Sequence, residues 1–491
     1  MSTQPNSPGN GIFDVLIVGA GISGINTAYH IQKKLPGSSY VILDTRSNIG
    51  GTWDLFKYPG IRSDTDLHTF GFSWSAWKEN RAIADGESIA RYLKDNAVQE
   101  RIDEHILFQH RVIAARWTSS KQIWIVTTET SNGQQAEYLA RFIVLGTGYY
   151  DYNEPLKANI PGLENFEGTT VHPQFWPEDM EYAGKRVVIV GSGATAITLL
   201  PNLAKQASMV TMLQRTPGYI LPIDNATGNR WYHRIMPTSW SFQLDRWMFM
   251  WLAIVIFYFC RAFPSRARKM LESGVATLLP ASISMDPHFK PSYKPWDQRL
   301  CFSPNGDFFE ALRNGRADVA TGKIRTIKGR KIVLESGQEL EADILVTATG
   351  LKLVVGGGIQ LTVDGRPVQL ADRYTWRTSM LEDIPNLIFV TGYVNASWTL
   401  GAEVTAQLLC RLLLFMQSKG LVSATPRVSS ARKLQPRLLW NLEATYVKRA
   451  AEDMPKCGDS GPWKGRTNYL LDLWRARYGS LVKNMDFAPE M

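Results

Sequence analysis

At 491 residues, 44% hydrophobic and 20% charged, the chain has the make-up of a soluble globular protein with two or three domains and a sizeable core. Its formal net charge of +9 comes without a block of five like charges, which excludes a basic nucleic-acid-binding tail. The four cysteines (Cys260, Cys301, Cys410 and Cys457) lie far apart with no Cys-x-x-Cys, which excludes a disulfide framework, a zinc ribbon and a redox-active thiol pair; a reduced, cytoplasmic protein without a metal site is the expectation.

Met1 to Gly11 is polar without a charged n-region, and the apolar run from Val15 to Ala20 is too short for a signal-peptide core. Phe13 to Val18 reads as a buried strand ending at Gly19, Ser23 to Leu35 as a helix stopped by Pro36-Gly37, and Tyr40 to Asp44 as a second strand. Between the first strand and the helix, Gly19-Ala20-Gly21-Ile22-Ser23-Gly24 fits GxGxxG. Such glycines permit the tight turn, the close approach of a pyrophosphate and the helix–strand contact, and the helix N-terminus faces the phosphates. Asp44 is placed to accept hydrogen bonds from an adenosine ribose. Gly50-Gly51-Thr52-Trp53-Asp54 and Tyr58-Pro59-Gly60-Ile61-Arg62-Ser63-Asp64 follow. They read either as backbone that approaches a ring system, with Trp53 beside it, or as a plain turn and loop.

Arg111 to Trp117 and Ile123 to Thr128 read as antiparallel strands with Asn132-Gly133 as a hairpin turn, and Phe142 to Gly148 as a buried strand running into glycine. A second strand–helix–strand unit covers Val187 to Val190, Thr195 to Ala204 and Val210 to Leu213. Its turn, Gly191-Ser192-Gly193-Ala194-Thr195-Ala196, fits GxGxxA, and its second strand leads to Arg215-Thr216 rather than to an acid. A guanidinium there suits the 2′-phosphate of NADPH, where a carboxylate would suit NADH. The first site is therefore expected to hold FAD and the second NADPH, polyanions that a basic surface attracts.

From about Asn225 to Pro295 the chain is rich in Trp, Met and Arg and lacks strand alternation, which predicts a helical insertion. Within it Trp247 to Cys260 carries no charge; Arg261, Arg266, Arg268 and Lys269 follow. The run is too short for a comfortable membrane span. A buried helix walling a substrate tunnel is the favoured reading, and a peripheral membrane anchor through residues 247–269 the alternative. Strands resume from Asp318 and end in Ile344 to Gly350; Leu387 to Val390 precedes Gly392, and Val404 to Gln417 is a helix. The fold class is α/β, with two Rossmann-like dinucleotide-binding domains and a helical insertion in the second. The expected division is 11–152 (FAD domain, first part), 153–224 (NADPH domain, first part), 225–295 (insertion), 296–380 (NADPH domain, second part) and 381–491 (FAD domain, second part).

Between the two glycine-rich turns, Phe166, Gly168, His172, Trp176 and Pro177 fit FxGxxxHxxxWP. This resembles the fingerprint of the Baeyer–Villiger flavin monooxygenases, and the resemblance extends from Asp14 to about Lys483. Gly51 to Phe56, Tyr58 to Asp64, His172 to Gln174, Pro295 to Cys301 and Asn395 to Leu400 resemble the ethionamide-activating members in particular. The resemblance implies an NADPH- and dioxygen-dependent enzyme that inserts oxygen beside a ketone carbonyl through a C4a-peroxyflavin, giving an ester or lactone. It implies that Thr52, Trp53, Asp54, Asp64 and Val112 line the flavin site, and that Ser63, Asp64 and Thr65 approach the nicotinamide cofactor. It makes Arg299 the active-site cation, positioned by Asp64. Many members have Lys-Arg-Pro there; this chain has Gln298-Arg299-Leu300 and so lacks the Lys used on the 2′-phosphate. Read without the resemblance, Arg299 is a salt-bridge partner of Asp297 or another carboxylate. His172 is expected to serve as a hinge or linker, and Phe166 and Trp176 to pack in the core. The aromatic and Met content between Trp231 and Met285 points to a lipophilic ketone or sulfide substrate. The alternatives are an S- or N-oxygenating monooxygenase and a non-catalytic NADPH- and FAD-binding protein.

Overall fold

The computed structural model describes residues 11–227, 230–429 and 433–490, so the polar stretch before Gly11, read above as carrying no leader, lies outside the described residues. The larger sheet is built on Ile12–Val18, whose apolar run pairs in parallel with Tyr40–Leu43 on one side and Gln135–Leu145 on the other. Parallel strands buried on both faces are expected to be continuously apolar, as these are. Helix Ile22–Lys34 covers one face and packs on helix Trp398–Lys419, where His30 Nε2 meets Glu403 Oε2 at 2.8 Å. The antiparallel strands His110–Thr118 and Ile123–Thr130 extend the sheet.

The second sheet is wholly parallel, in the order Ala317–Thr321, Met209–Gln214, Arg186–Val190, Ile344–Thr347, Thr169–Val171. Helix Ala194–Leu203 starts directly from its glycine-rich turn. The predicted boundary at residue 380 requires correction. Gln360–Val363 pairs with His110–Thr118, and Thr375–Trp376 and Met380–Leu381 join Leu387–Phe389, so the chain re-enters the larger sheet after Thr347. Those strands span two to four residues, too short for a period to show which sheet they join.

The insertion is helical, with Thr238–Ala262 followed by Pro264–Ala276. Its uncharged run forms part of a 25-residue helix, and the reading of that run as a buried tunnel wall is overturned. Only 22% of the helix's most apolar 18-residue window is buried, against 78% for Trp398–Lys419. Its outward face is apolar, a pattern that periodicity alone reads as burial.

Candidate active site

A cavity of about 890 Å³ lies where the carboxyl ends of the parallel strands of both sheets face each other, the position at which open α/β sheets bind ligands. The first glycine-rich turn forms one wall. Gly19 has φ +107°, and a Cβ on Gly24 would sit 1.9 Å from the Gly19 carbonyl oxygen, so the helix approaches the strand only because Gly24 lacks a side chain. Gly21 and Gly51 face each other as bare backbone: a Cβ on Gly51 would lie 3.3 Å from Gly21 Cα. Asp44 is buried, accepting from the Ala20 amide at 2.6 Å and the Arg46 amide at 2.8 Å. Burial pushes its pKa up and these amides hold it back. Two of its roughly four acceptor positions remain for a diol. This cradle fits a dinucleotide.

Ser23, Thr52, Trp53, Val112, Ser63, Asp64 and Thr65 all line the cavity. Thr52 Oγ1 lies 3.1 Å from the Tyr152 hydroxyl, and Ser63 Oγ donates to the Thr65 carbonyl at 2.7 Å. Gly24 and Asp54 stand outside the lining. The Asp54 carboxylate turns to Arg46, whose Nε lies 3.0 Å away, and so braces the loop behind the wall.

Arg299 enters from the opposite side. Its Nη1 lies 3.4 Å from Asp64 Oδ2, its Nη2 lies 3.3 Å from the Tyr393 carbonyl oxygen, and its buried Nε has no partner among the described residues. Asp297, the other carboxylate expected for it, pairs instead with Arg261 at 2.8 Å. Beside Arg299, the Tyr149 and Tyr150 hydroxyls are 2.6 Å apart, and the Tyr149 ring stacks on Trp398 at 4.6 Å and 18°. Burial pushes the Tyr149 phenol up to about 12 and raises that of Tyr150 well above its ordinary value, so both are neutral at neutral pH. Burial alone would lower the pKa of Arg299; the oxygens of Tyr149, Asp64 and Tyr446 outweigh it, and the shift is upward. Arg299 is therefore a permanent cation of the site, in a cavity that Arg46, Arg62 and Arg111 also line.

Tyr149, Tyr150 and Tyr152 were not singled out by sequence, although they follow the strand that ends in Gly146-Thr147-Gly148, where a binding crevice is expected. Trp398, whose Nε1 donates to Ser23 Oγ at 2.9 Å, lay in a segment noted only for its resemblance.

In the second turn, Gly191 has φ +145° and a Cβ there would lie 2.2 Å from the Ala348 carbonyl oxygen. The space before Gly193 is open. Ser192 Oγ donates to the Thr216 carbonyl at 3.0 Å, and Arg215 is exposed, with no ion pair among the described residues. Ala194 and Thr195 line the cavity; Gly191, Ser192, Gly193, Arg215 and Thr216 stand outside it, and Ala196 is buried in the core.

The FxGxxxHxxxWP segment packs against the second sheet through Thr169–Val171 and reaches Asp151 through Gln174. A Cβ on Gly168 would lie 2.4 Å from the Asp343 carbonyl oxygen and 2.6 Å from the Phe166 ring, so glycine there lets the ring pack. Trp176 is buried, and Pro177 is exposed. His172 Nδ1 accepts from the Gln174 amide at 3.2 Å, and burial lowers its pKa. Gln174 Nε2 then donates to the Asp151 carbonyl at 2.6 Å. Pro173 and Gln174 reach the cavity; His172 does not.

Two glycine-rich strand–helix turns converging on one cavity define a flavoprotein oxidoreductase with two dinucleotide-binding units. Residues 16–220 match the family model described as pyridine nucleotide-disulphide oxidoreductase, although the four cysteines here are buried and free. The chain is 43% identical over 470 residues, 95% of each chain, to the FAD-containing monooxygenase EthA of Mycolicibacterium smegmatis. It superposes on an oxidized steroid monooxygenase bound to NADP with TM-score 0.74 at 19% identity, over 98% of this chain and 100% of the other. It also superposes on an open form of cyclohexanone monooxygenase with TM-score 0.72 at 22% identity, over 97% and 99%. The chain belongs to the family of FAD-containing monooxygenases that includes EthA. FAD and NADP, the cofactors expected from the sequence, are those named for these relatives.

Proposed function

We propose that this monooxygenase consumes NADPH and dioxygen (O2) and inserts one oxygen atom beside the carbonyl of a lipophilic ketone, yielding an ester or lactone. The observation that carries the reading is Arg299, a permanent cation with an unpaired Nε, facing the cavity among neutral phenols. When bound, FAD supplies the hydride acceptor and the oxygen-activating centre. Gly19, Gly21 and Gly51 would take its pyrophosphate, Asp44 its ribose, and Trp53 and Val112 would adjoin its ring. Arg215 and Thr216 would hold the 2′-phosphate of NADPH, and Ala194, Thr195, Ser63, Asp64 and Thr65 would contact the rest of it within the cavity.

Baeyer–Villiger chemistry develops negative charge on an oxygen that is to attack a carbonyl, and then on the former carbonyl oxygen. A fixed guanidinium stabilises both without donating its proton away. Asp64 aims Arg299 and balances part of its charge. Tyr149 stays protonated and so adds no competing anion. Phe56, Tyr58, Phe302 and Leu351 line the same cavity and limit water around the reacting atoms. The test incubates FAD-loaded protein with NADPH and matched panels of linear, cyclic and aryl ketones and of sulfides, following NADPH loss and product mass together. An ester one oxygen heavier than the ketone is expected. Sulfoxide with no ester from any ketone would assign S-oxygenation instead.

A further inference from the structure

Helix Thr238–Ala262 turns an apolar face to solvent. Trp240, Leu244, Trp247, Trp251, Val255 and Tyr258 recur at steps of four and three residues, which places them in one stripe. Each of the six is between 41% and 67% exposed. The opposite face is tied into the protein. Arg246 Nη1 donates to the His68 and Gly71 carbonyls at 2.8 and 2.7 Å. Asp245 is fully buried and holds both Arg230 and His233 at 2.7 Å. Met250 belongs to the core under the larger sheet. A helix anchored along one side in this way cannot cross a bilayer, but it can lie flat on one.

Cations outnumber carboxylates along this part of the chain, even with Arg261 paired to Asp297. Between Ala226 and Leu271 the only carboxylate is Asp245, which is out of reach of solvent, while Arg234, Arg261, Arg266 and Lys269 are exposed. Tryptophan-rich apolar surface flanked by cations is the pattern that settles at an anionic headgroup layer. A second copy of the chain meeting this face about a two-fold axis would bring the same cations against one another. We propose that this helix docks the protein, in the plane of the surface, on an anionic lipid membrane. The docked face adjoins the active site. Phe257 packs edge-on against Trp296 at 5.5 Å, and Arg261 binds Asp297, two residues before Arg299. A substrate dissolved in the bilayer would meet the protein beside its cavity.

The inference goes beyond the proposed chemistry and fails independently of it. Purified FAD-loaded protein is floated with vesicles of phosphatidylcholine alone and of phosphatidylcholine with phosphatidylglycerol. Flotation with the mixed vesicles only, and its loss as salt is raised, is expected. Trp247→Asp with Trp251→Asp should cut binding at least tenfold while flavin absorbance and NADPH oxidation in solution are unchanged, and Arg266→Glu with Lys269→Glu should also weaken binding. Wild-type protein left unbound at low salt, undiminished flotation of the double Trp variant, or a stable dimer in light scattering that fails to float would each overturn the proposal.

Discussion

Replacing Arg299 with alanine should separate the two halves of the catalytic cycle. Arg299 holds its neighbours loosely: the contacts to Asp64 and the Tyr393 carbonyl are 3.4 and 3.3 Å, and the Nε is unpaired. Asp64 is 40% exposed, so losing its partner should cost the fold no more than about 1 kcal/mol. No ground-state bond of normal length is removed, and the variant should fold and bind FAD. The transition state loses the guanidinium assigned to face the developing oxyanion. Deleting one preorganised donor to a developing oxyanion costs about 2.7–4 kcal/mol, roughly 10²- to 10³-fold in rate. Arg215, Gly191, Ser192 and Gly193 lie outside the cavity and are untouched, so flavin reduction by NADPH should stay within about threefold of wild type, a change of under about 1 kcal/mol. Anaerobic stopped-flow reduction measures the first step, and ester formed per NADPH consumed measures the second. Arg299→Lys keeps the charge without the planar fork and should fall between the two. Unimpaired ester yield in Arg299→Ala would refute the role assigned to this residue, and slow flavin reduction with normal coupling would move it to nicotinamide binding.

Arg215→Ala should raise the KM for NADPH by about tenfold to a hundredfold while leaving that for NADH nearly unchanged, since a hydrogen bond to a charged group is worth about 1.5–3 kcal/mol; steady-state assays with both cofactors check it. Gly24→Ala should abolish FAD retention, because its Cβ would lie 1.9 Å from the Gly19 carbonyl oxygen; flavin absorbance after gel filtration reads this directly. Glu403→Leu strips His30 of its buried partner and should cost about 3–5 kcal/mol in thermal stability near neutral pH. Burial works against ionisation of Glu403, but His30 and Gln407 outweigh it and hold its pKa at about 2 against an ordinary 4.5. A depressed folded-state pKa gives stability that is fully present above the unfolded value and is lost as pH falls toward the folded one. The gap in Tm between wild type and Glu403→Leu should therefore narrow as pH drops below about 4.5 toward 2, and a gap that widens would contradict the assignment.

Both glycine-rich turns were legible because their chemistry is local: a turn that needs a positive φ at Gly19 or Gly191 and a missing Cβ at Gly24 leaves few residue choices. Asp44 and Arg215 stand where the sequence placed them, each at the end of the strand after its turn. What escaped was assembled from a distance. Tyr149 reaches Arg299 only because two sheets face each other, and Trp398 comes from the helix that closes the first domain. Asp54 was carried over as a flavin contact by its position in a motif, yet its side chain turns to Arg46. The long helix of the insertion misled because hydrophobic periodicity reports an apolar face without saying what that face meets. Short strands such as Gln360–Val363 were illegible in principle, four residues being too few to carry a period.

The two units act as one site because the chain crosses between them twice at the same place. Tyr149–Asp151 on the way out and Lys352–Val354 on the way back run antiparallel, with the Asp151 amide bonded to the Lys352 carbonyl at 2.8 Å and the Val354 amide to the Tyr149 carbonyl at 3.0 Å. Gln174, held by the His172 turn, fastens to Asp151 at the same crossing. Arg62 of the first unit pairs with Asp307 of the second across the cavity mouth. Arg299 follows the insertion, whereas Asp64 and the Tyr393 carbonyl that aim it belong to the first unit. The direction of the cation is thus set by the angle between the units. Charge-assisted bonds shorten to about 2.7–2.9 Å when well aligned, so the 3.3 and 3.4 Å contacts leave room for closure to tighten them. His172 stands outside the cavity, and its turn carries Gln174 onto Asp151 at the crossing.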